Sequence, residues 1–325
     1  MPEDATPPPP PYPTPSYARP FGTPPPPRRS PWFYIAAIGG SFAVIALVLS
    51  AIVWATIRSV NGSDGFFNSD AIAVIDIKGV ILSPDKIEAQ LRTYGDDDSV
   101  KAIILRINSP GGAAAPSQEL YHEVLRIRQE KHKKIIASIE SVGASGAYYI
   151  ASACDKIYAN QAAVVGSIGV VMEWTNYGEL LRWAKLKNVS ISAGDLKTAG
   201  DPSRDLTPKE QAYFQSLVDN MYTQFVHDVA TARHTTDDKI KPLATGQVWT
   251  GQQAIPLGLI DKEGGFRIAL METAKAAGIS GEPKILRATE QTPSLLSLLT
   301  SSSDDLFPNP SKLLEHAPGF YFLWK

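Results

Sequence analysis

Three short glycine-containing elements of this chain each follow a strand-like segment, the place where α/β proteins collect the groups that do chemistry. In Gly143-Ala144-Ser145-Gly146-Ala147 a serine stands among small residues, between a strand-like stretch ending near Ile139 and the helix-like Tyr148–Ala153. A hydroxyl there lies at a helix N-terminus, where free N–H groups and the helix dipole favour developing negative charge, and this suits a nucleophile. The same position also suits a plain serine N-cap. Asn108-Ser109-Pro110-Gly111-Gly112 directly follows Ala102–Ile107. Its side-chain-free backbone would let an amide approach an oxyanion closely, or it is an ordinary strand-to-helix turn. Val165-Gly166-Ser167-Ile168-Gly169 offers a second hydroxyl.

A serine nucleophile needs a base. The chain has five histidines, and none follows a glycine-rich turn at a strand end. His122 and His132 fall in or beside a charged helix-like run, His227 and His234 on or at the end of a longer one, and His316 in the C-terminal tail. A Ser/His/Asp triad therefore lacks a placed member. The Gly-x-Ser-x-Gly elbow also fails, because Ala147 replaces its last glycine and the partner order is wrong for an α/β-hydrolase. No histidine/cysteine cluster has zinc-ligand spacing, and no cofactor is implied. Lys197, in Ala193-Gly194-Asp195-Leu196-Lys197 after the strand-like Val189–Ser192, is the remaining base; the alternative is an ordinary solvated lysine. A lysine serves as base where desolvation or a neighbouring cation brings its usual value near 10.4 down to about 7–8.

The elements that must hold these residues have an α/β pattern. Ile72–Ile77, Ala102–Ile107 and Ile135–Ile139 read as buried strands, and the amphipathic runs Pro116–Gln129 and Gly178–Leu186 as helices. Thr207-Pro208-Lys209-Glu210 is a capping box with proline at the first helical position, opening a long helix to about Arg233. No internal repeat is visible, so the chain carries one copy of each element.

Ahead of this region lie two segments of different composition. Residues 1–31 hold more than half of the chain's 26 prolines, including Pro7–Pro11 and Pro24–Pro27, and read as a disordered or polyproline-II tail. Residues 32–57 carry no charge, and at 1.5 Å per residue such a run exceeds the hydrocarbon thickness of a bilayer, which predicts a transmembrane helix. Trp32, Phe33, Tyr34 and Trp54 lie toward its ends, where interfacial rings belong. Arg19, Arg28 and Arg29 precede the run and only Arg58 closely follows it, so the N-terminus is expected in the cytoplasm and the rest outside. The run is about twice a signal-peptide h-region, which argues against cleavage, and Arg28-Arg29 resembles a twin-arginine signal only in those two residues. The expected organisation is a 1–31 tail, a 32–57 span, a 58–70 linker, one domain over 71–290 and a C-terminal extension over 291–325.

A chain of 325 residues with 44% hydrophobic and 20% charged side chains can bury a full core beyond these segments. The net charge of −2 lacks the basic excess that nucleic-acid binding draws on, and nucleic acid is set aside as a partner. The single cysteine, Cys154, cannot form an intrachain disulfide and lies in an apolar stretch, as a small buried hydrophobe does.

Taken together and in order, the apolar N-terminal run, SPGG at 109–112, SVGASGAYYIA at 141–151, VGSIGV at 165–170, GDLKTAGDPSR at 194–204 and GQVWTGQQAIPLGLIDKEGG at 246–265 resemble the signal peptide peptidase A family, in its short single-copy form. The likeness covers roughly residues 70–290. It implies a ClpP/crotonase-like spiral of β-β-α units and a membrane-anchored serine endopeptidase with a Ser/Lys dyad. In that scheme Ser145 is the nucleophile, Lys197 the general base, Ser167 the hydroxyl that orients the lysine, and the amides of Gly112 and Gly146 the oxyanion hole. The implied substrates are remnant signal peptides and other membrane-associated or unfolded polypeptides. The implied assembly is a homo-oligomeric ring in which adjacent subunits contribute serine and lysine. The apolar run Gly319–Trp324 fits a subunit interface, the chain's own domain or a membrane surface. Ala113 and Ala147 stand where many members have glycine, and Leu196 where tyrosine is common. The two alanines narrow backbone flexibility without removing a donor, and Leu196 bears on substrate contacts more than on catalysis. A crotonase-like acyl-CoA enzyme would use the same pair of amides, but CoA is intracellular and no adenine-phosphate site stands out. An inactive scaffold of the same fold is the other alternative; the presence of both Ser145 and Lys197 counts against it.

Overall fold

The computed structural model describes residues 70–288 and 319–324, together with Trp32 and residues 40–41 and 44–54. The chain divides into two compact units, Met1–Phe67 and Asn68–Lys325. Within the apolar run 32–57 the described residues are helical; the rest of that run, the proline-rich tail and all of the 58–70 linker except Asp70 lie outside the described residues. Among the described residues no helix is long and apolar enough to cross a membrane.

The second unit is built on a mostly parallel sheet. Strands β1 (Ala71–Lys78), β2 (Val100–Ser109), β4 (Lys134–Ala144) and β5 (Lys156–Ala159) contain the three segments expected as strands. The path continues to β10 (Lys284–Arg287) beside β1 and to β9 (Lys262–Glu263) beside β5, with every pairing on it parallel. These strands read as almost unbroken apolar runs because both faces of the sheet are covered. Side chains alternate between two cores. Ile75, Ile77, Ile103, Leu105 and Ile107 join the larger core under helices α1 (Asp85–Asp96), α2 (Ala114–Glu130), α3 (Gly146–Ser152) and α5 (Pro208–Ala232). Ile72, Val74, Ile104 and Ile136 face Ala269, Leu270 and Ala274 of α8 (Phe266–Ala276). Full burial of each such Ile or Leu contributes about 1.5–3 kcal/mol.

Strand β4 is the element that delivers Ser145. Its first part pairs with β2 and β5, while Val142–Ala144 go on past β5 to pair with β6 (Val164–Gly166), which in turn meets β8 (Val248–Thr250) antiparallel. The 108–112 turn and the 143–147 turn therefore leave the same carboxyl edge of neighbouring parallel strands, with Ser109 registered against Gly143.

The capping box at Thr207/Glu210 is present as read, with both reciprocal bonds, and α5 runs for 25 residues. Two segments differ from expectation. The helix expected over Gly178–Leu186 stops at Trp183 (α4, Gly178–Trp183), because Lys185 turns to φ 57° and the Leu186 amide closes back on the Leu181 carbonyl at 2.9 Å. The strand-like Val189–Ser192 forms no strand; Val189 and Ile191 are 80% and 100% exposed, so no neighbouring ladder satisfies an extended backbone there. The C-terminal run docks on its own domain: Gly319–Leu323 forms β11, the middle strand between β3 (Gly111–Ala113) and β7 (Val171–Glu173).

Candidate active site

Ser145 occupies the N-cap position of α3 without acting as a cap. Its hydroxyl makes no capping bond, and its backbone stands at φ 53°, ψ −120°. A non-glycine residue in that region costs on the order of 1–3 kcal/mol and persists only where its surroundings over-determine it. Here they do so from both sides. The Ser145 amide donates to the Gly166 carbonyl at 2.7 Å, and the Ser145 carbonyl accepts from the Tyr149 amide at 2.8 Å. Tyr149 is itself fully buried, its ring against Tyr121 and Phe225, and its hydroxyl bonds the Asp228 carboxylate. Burial first, and then that carboxylate, pushes the Tyr149 hydroxyl well above the usual phenol range.

Ser167 reaches the same space. It follows Gly166 (φ 93°) at the end of β6, stands at φ 52°, and donates its amide to the Gln247 carbonyl at 2.8 Å. Ser145 and Ser167, 1% and 6% exposed, both line one cavity of about 380 Å³ walled by Val171, Tyr222, Thr245 and Trp324. No histidine lines it, and among the described residues no group of His, Cys, Asp and Glu is arranged to hold a metal ion. Cys154 is buried in the larger core, where desolvation pushes its thiol far up and makes it an inert hydrophobe.

Both glycines of the expected oxyanion pair are required by space. A Cβ on Gly112 would run into the Ile81 backbone, and one on Gly146 into the Ser117 hydroxyl. The Ile81 amide donates to the Gly111 carbonyl at 2.9 Å and the Ile81 carbonyl accepts from the Ala113 amide at 2.7 Å. Successive strand residues direct their N–H and C=O to opposite sides, so Gly112 turns its own amide away from Ile81, toward β11.

Lys197 is placed elsewhere. It is exposed, on the turn over residues 193–200, does not line the cavity, and its side chain makes no hydrogen bond or ion pair with another described residue. Sequence reasoning missed what holds this turn. The Arg204 guanidinium donates to the Thr198 carbonyl at 3.0 Å and forms a fork on the Glu210 carboxylate, which also accepts from the Thr207 amide at 2.8 Å. Arg204 first, and then that amide, holds the Glu210 carboxyl down to about 2. The capping box announced Glu210; nothing in the spacing announced that its second oxygen would receive Arg204.

A buried serine at a strained strand-to-helix turn, beside a second hydroxyl and with no histidine among the described residues that line the cavity, is an arrangement that suits a hydrolase of the serine class. The model of peptidase family S49 matches residues 127–280. A putative protease of Synechocystis is 35% identical over 237 residues, covering 72% of this chain and 84% of that one. A putative signal peptide peptidase SppA of Enterococcus faecium is 34% identical over 54% of this chain and 51% of its own, and Protease 4 of Haemophilus influenzae 32% identical over 61% of this chain and 34% of its own. This chain spans about half and about a third of the length of those last two relatives. The chain belongs to peptidase family S49, the signal peptide peptidase A family that its motifs resemble, and is a serine peptidase.

Proposed function

We propose that this chain is a membrane-anchored serine endopeptidase in which Ser145 is the nucleophile, Lys197 of a neighbouring copy the general base, and Ser167 the hydroxyl that orients the lysine. The observation that carries this reading is the unlike placement of the two halves. Ser145 is buried with a hydroxyl that makes no capping bond, whereas Lys197 stands exposed outside the Ser145 cavity. The segment leading to Lys197 also exposes Leu180, Trp183, Leu186, Val189 and Ile191, with Trp183 at 81%. Apolar surface of that kind is buried by association. Head-to-tail contacts that bring one copy's lysine turn to the next copy's serine close into a ring.

In the reaction, the neutral amine of Lys197 takes the proton of Ser145 Oγ as the oxygen attacks the scissile carbonyl. The amides of Gly112 and Gly146 hold the oxyanion. The lysinium then protonates the leaving amine, and water, activated by the same amine, releases the acyl group from Ser145. The peptidase domain is taken as 71–290, with a ClpP/crotonase-like fold, which the parallel sheet with active-site turns at its carboxyl edge supports. The uncharged run 32–57 supports a single span, with the N-terminus cytoplasmic and the domain outside the cell membrane. Remnant signal peptides and other membrane-associated or unfolded polypeptides are the substrates such a placement favours.

The test is labelling of the full chain with a fluorophosphonate probe. The intact protein takes the label at Ser145 and the Ser145→Ala variant takes none; label retained by the variant overturns the assignment.

A further inference from the structure

We propose that Tyr149 and Asp228 are positioning residues of the peptidase: the bond from the Tyr149 hydroxyl to the Asp228 carboxylate fixes where α3 sits, and through α3 it aims the Ser145 turn and the Gly146 amide. This rests on Ser145 as nucleophile and on Gly112 and Gly146 as the oxyanion donors.

Helix α3 has little of its own with which to hold a place. It has seven residues, all buried, and no side-chain cap at its start. A helix of two turns does not persist by propensity, so tertiary contacts decide where it lies. Tyr149 joins those contacts to the serine turn directly. Its amide donates to the Ser145 carbonyl at 2.8 Å, its ring lies 4.7 Å from Tyr121 of α2 and 4.6 Å from Phe225 of α5, and its hydroxyl donates to the Asp228 carboxylate of α5. One residue thus grips the nucleophile's own carbonyl with its backbone and the longest helix of the domain with its side chain.

The rings alone would leave α3 free to slide, because apolar contact is non-directional. Phenylalanine would fill the same space; the hydroxyl adds a direction and a depth. A bond from a hydroxyl to a carboxylate is roughly twice as strong as one between neutral groups. Burial, and then the carboxylate, hold the Tyr149 phenol above its usual range, so it stays protonated and remains a donor.

The acceptor is fixed in turn. The Tyr121 hydroxyl donates to the Asp228 carbonyl at 2.9 Å, and the Gln118 amide donates to the Tyr149 hydroxyl at 3.3 Å and to the Gln224 side-chain oxygen at 3.1 Å. Polar bonds therefore tie α2, α3 and α5 together at one spot. Each of these helices leads to the site. Helix α2 begins directly after Gly111–Ala113, which contains the Gly112 donor; α3 begins with the Gly146 donor; and Tyr222, on the same face of α5 as Phe225, lines the Ser145 cavity. The tie therefore sets the two donors against each other and against the cavity wall. Donors must meet the developing oxyanion within fractions of an ångström, so a small shift of α3 costs rate.

The experiment compares the full chain with Tyr149→Phe, Asp228→Ala, Asp228→Asn and the double variant Tyr149→Phe/Asp228→Ala. Each is read by steady-state hydrolysis of a fluorogenic peptide amide and by the rate and extent of Ser145 labelling with a fluorophosphonate, whose adduct offers its oxygen to the same donors. Tyr149→Phe and Asp228→Ala are each expected to lower kcat and the labelling rate about tenfold with KM and the final extent of labelling unchanged. Asp228→Asn keeps an acceptor oxygen and should recover most of the loss. The double variant should be no slower than either single one, because both remove the same bond. Unchanged rates in Tyr149→Phe, a loss carried by KM, a smaller labelled fraction in place of slower labelling, or a double variant in which the two losses multiply would each overturn the proposal. Labelling of the unsubstituted chain keeps the two readings apart. Label at Ser145 there, with unaltered rates in the variants, overturns the positioning role alone, and absence of label overturns the serine assignment along with it.

Discussion

The Ser145 turn and the Lys197 turn are built in opposite ways. Around Ser145 the backbone is held within one chain: a positive φ, a main-chain bond on each side, aromatic rings behind, a Gly112 packed on the Ile81 backbone and a Gly146 packed on the Ser117 hydroxyl. Around Lys197 the backbone is held but the side chain is offered outward, from a turn fixed by Arg204 and flanked by exposed Trp183 and Ile191. A nucleophile must be held within fractions of an ångström of its donors, and a buried, over-determined turn does that. A base that a neighbouring copy supplies has to project, and only its root can be fixed in advance. On the proposed shared-site reading, the activity depends on assembly in a way the serine turn alone does not reveal.

Substitutions at the serine side should cut deepest. Gly146→Ala places a methyl group on the Ser117 hydroxyl; if the Gly146 amide is the oxyanion donor proposed above, kcat is expected to fall on the order of a hundredfold or more. Ser117→Ala in the same chain makes room for that methyl group and should recover part of the loss in steady-state kinetics. No recovery would mean that the amide is not displaced by this contact.

Changes at the lysine side should be milder because they act through position. Arg204→Ala removes the bond to Thr198 and leaves the buried Glu210 carboxylate with only its Thr207 contacts. We expect kcat/KM to drop about tenfold with KM little changed, and Arg204→Lys to restore part of it. Equal losses in Ser145 labelling and in thermal midpoint would instead indicate general unfolding.

The smallest effect is on pH dependence. The folded-state value of Glu210 is held near about 2, below its ordinary 4.5. A carboxylate depressed in this way adds stability that is fully present above about 4.5 and is lost as pH falls toward about 2. The thermal midpoint of the intact protein should therefore fall more steeply across that window than that of Glu210→Gln. Identical slopes would show that the Arg204 fork does not contribute.

The serine side was legible in the sequence because its information is local: small residues on a strand-to-helix turn, and a Ser-Pro-Gly-Gly turn after an apolar strand. The three core strands were legible for the same reason, as apolar runs buried on two faces. Where the outcome depended on neighbours, pattern reading fell short. Val189–Ser192 has the composition of a strand, but no edge among the described residues meets it. Gly319–Leu323 could have docked in several places, and its pairing with Gly111–Ala113 is a contact between distant parts of the chain that no local spacing encodes. The Arg204–Glu210 fork was hidden because one carboxylate serves both a helix cap and a guanidinium.

The sharing of one active site between copies is tested most directly by mixing two inactive full-length chains, Ser145→Ala and Lys197→Ala, under conditions that let subunits exchange. In a randomly mixed ring about a quarter of the junctions pair an intact serine with an intact lysine, so peptidase activity should return toward that fraction of the unsubstituted enzyme. A verified mixed oligomer that recovers no activity would place both groups in the same chain and contradict the shared site.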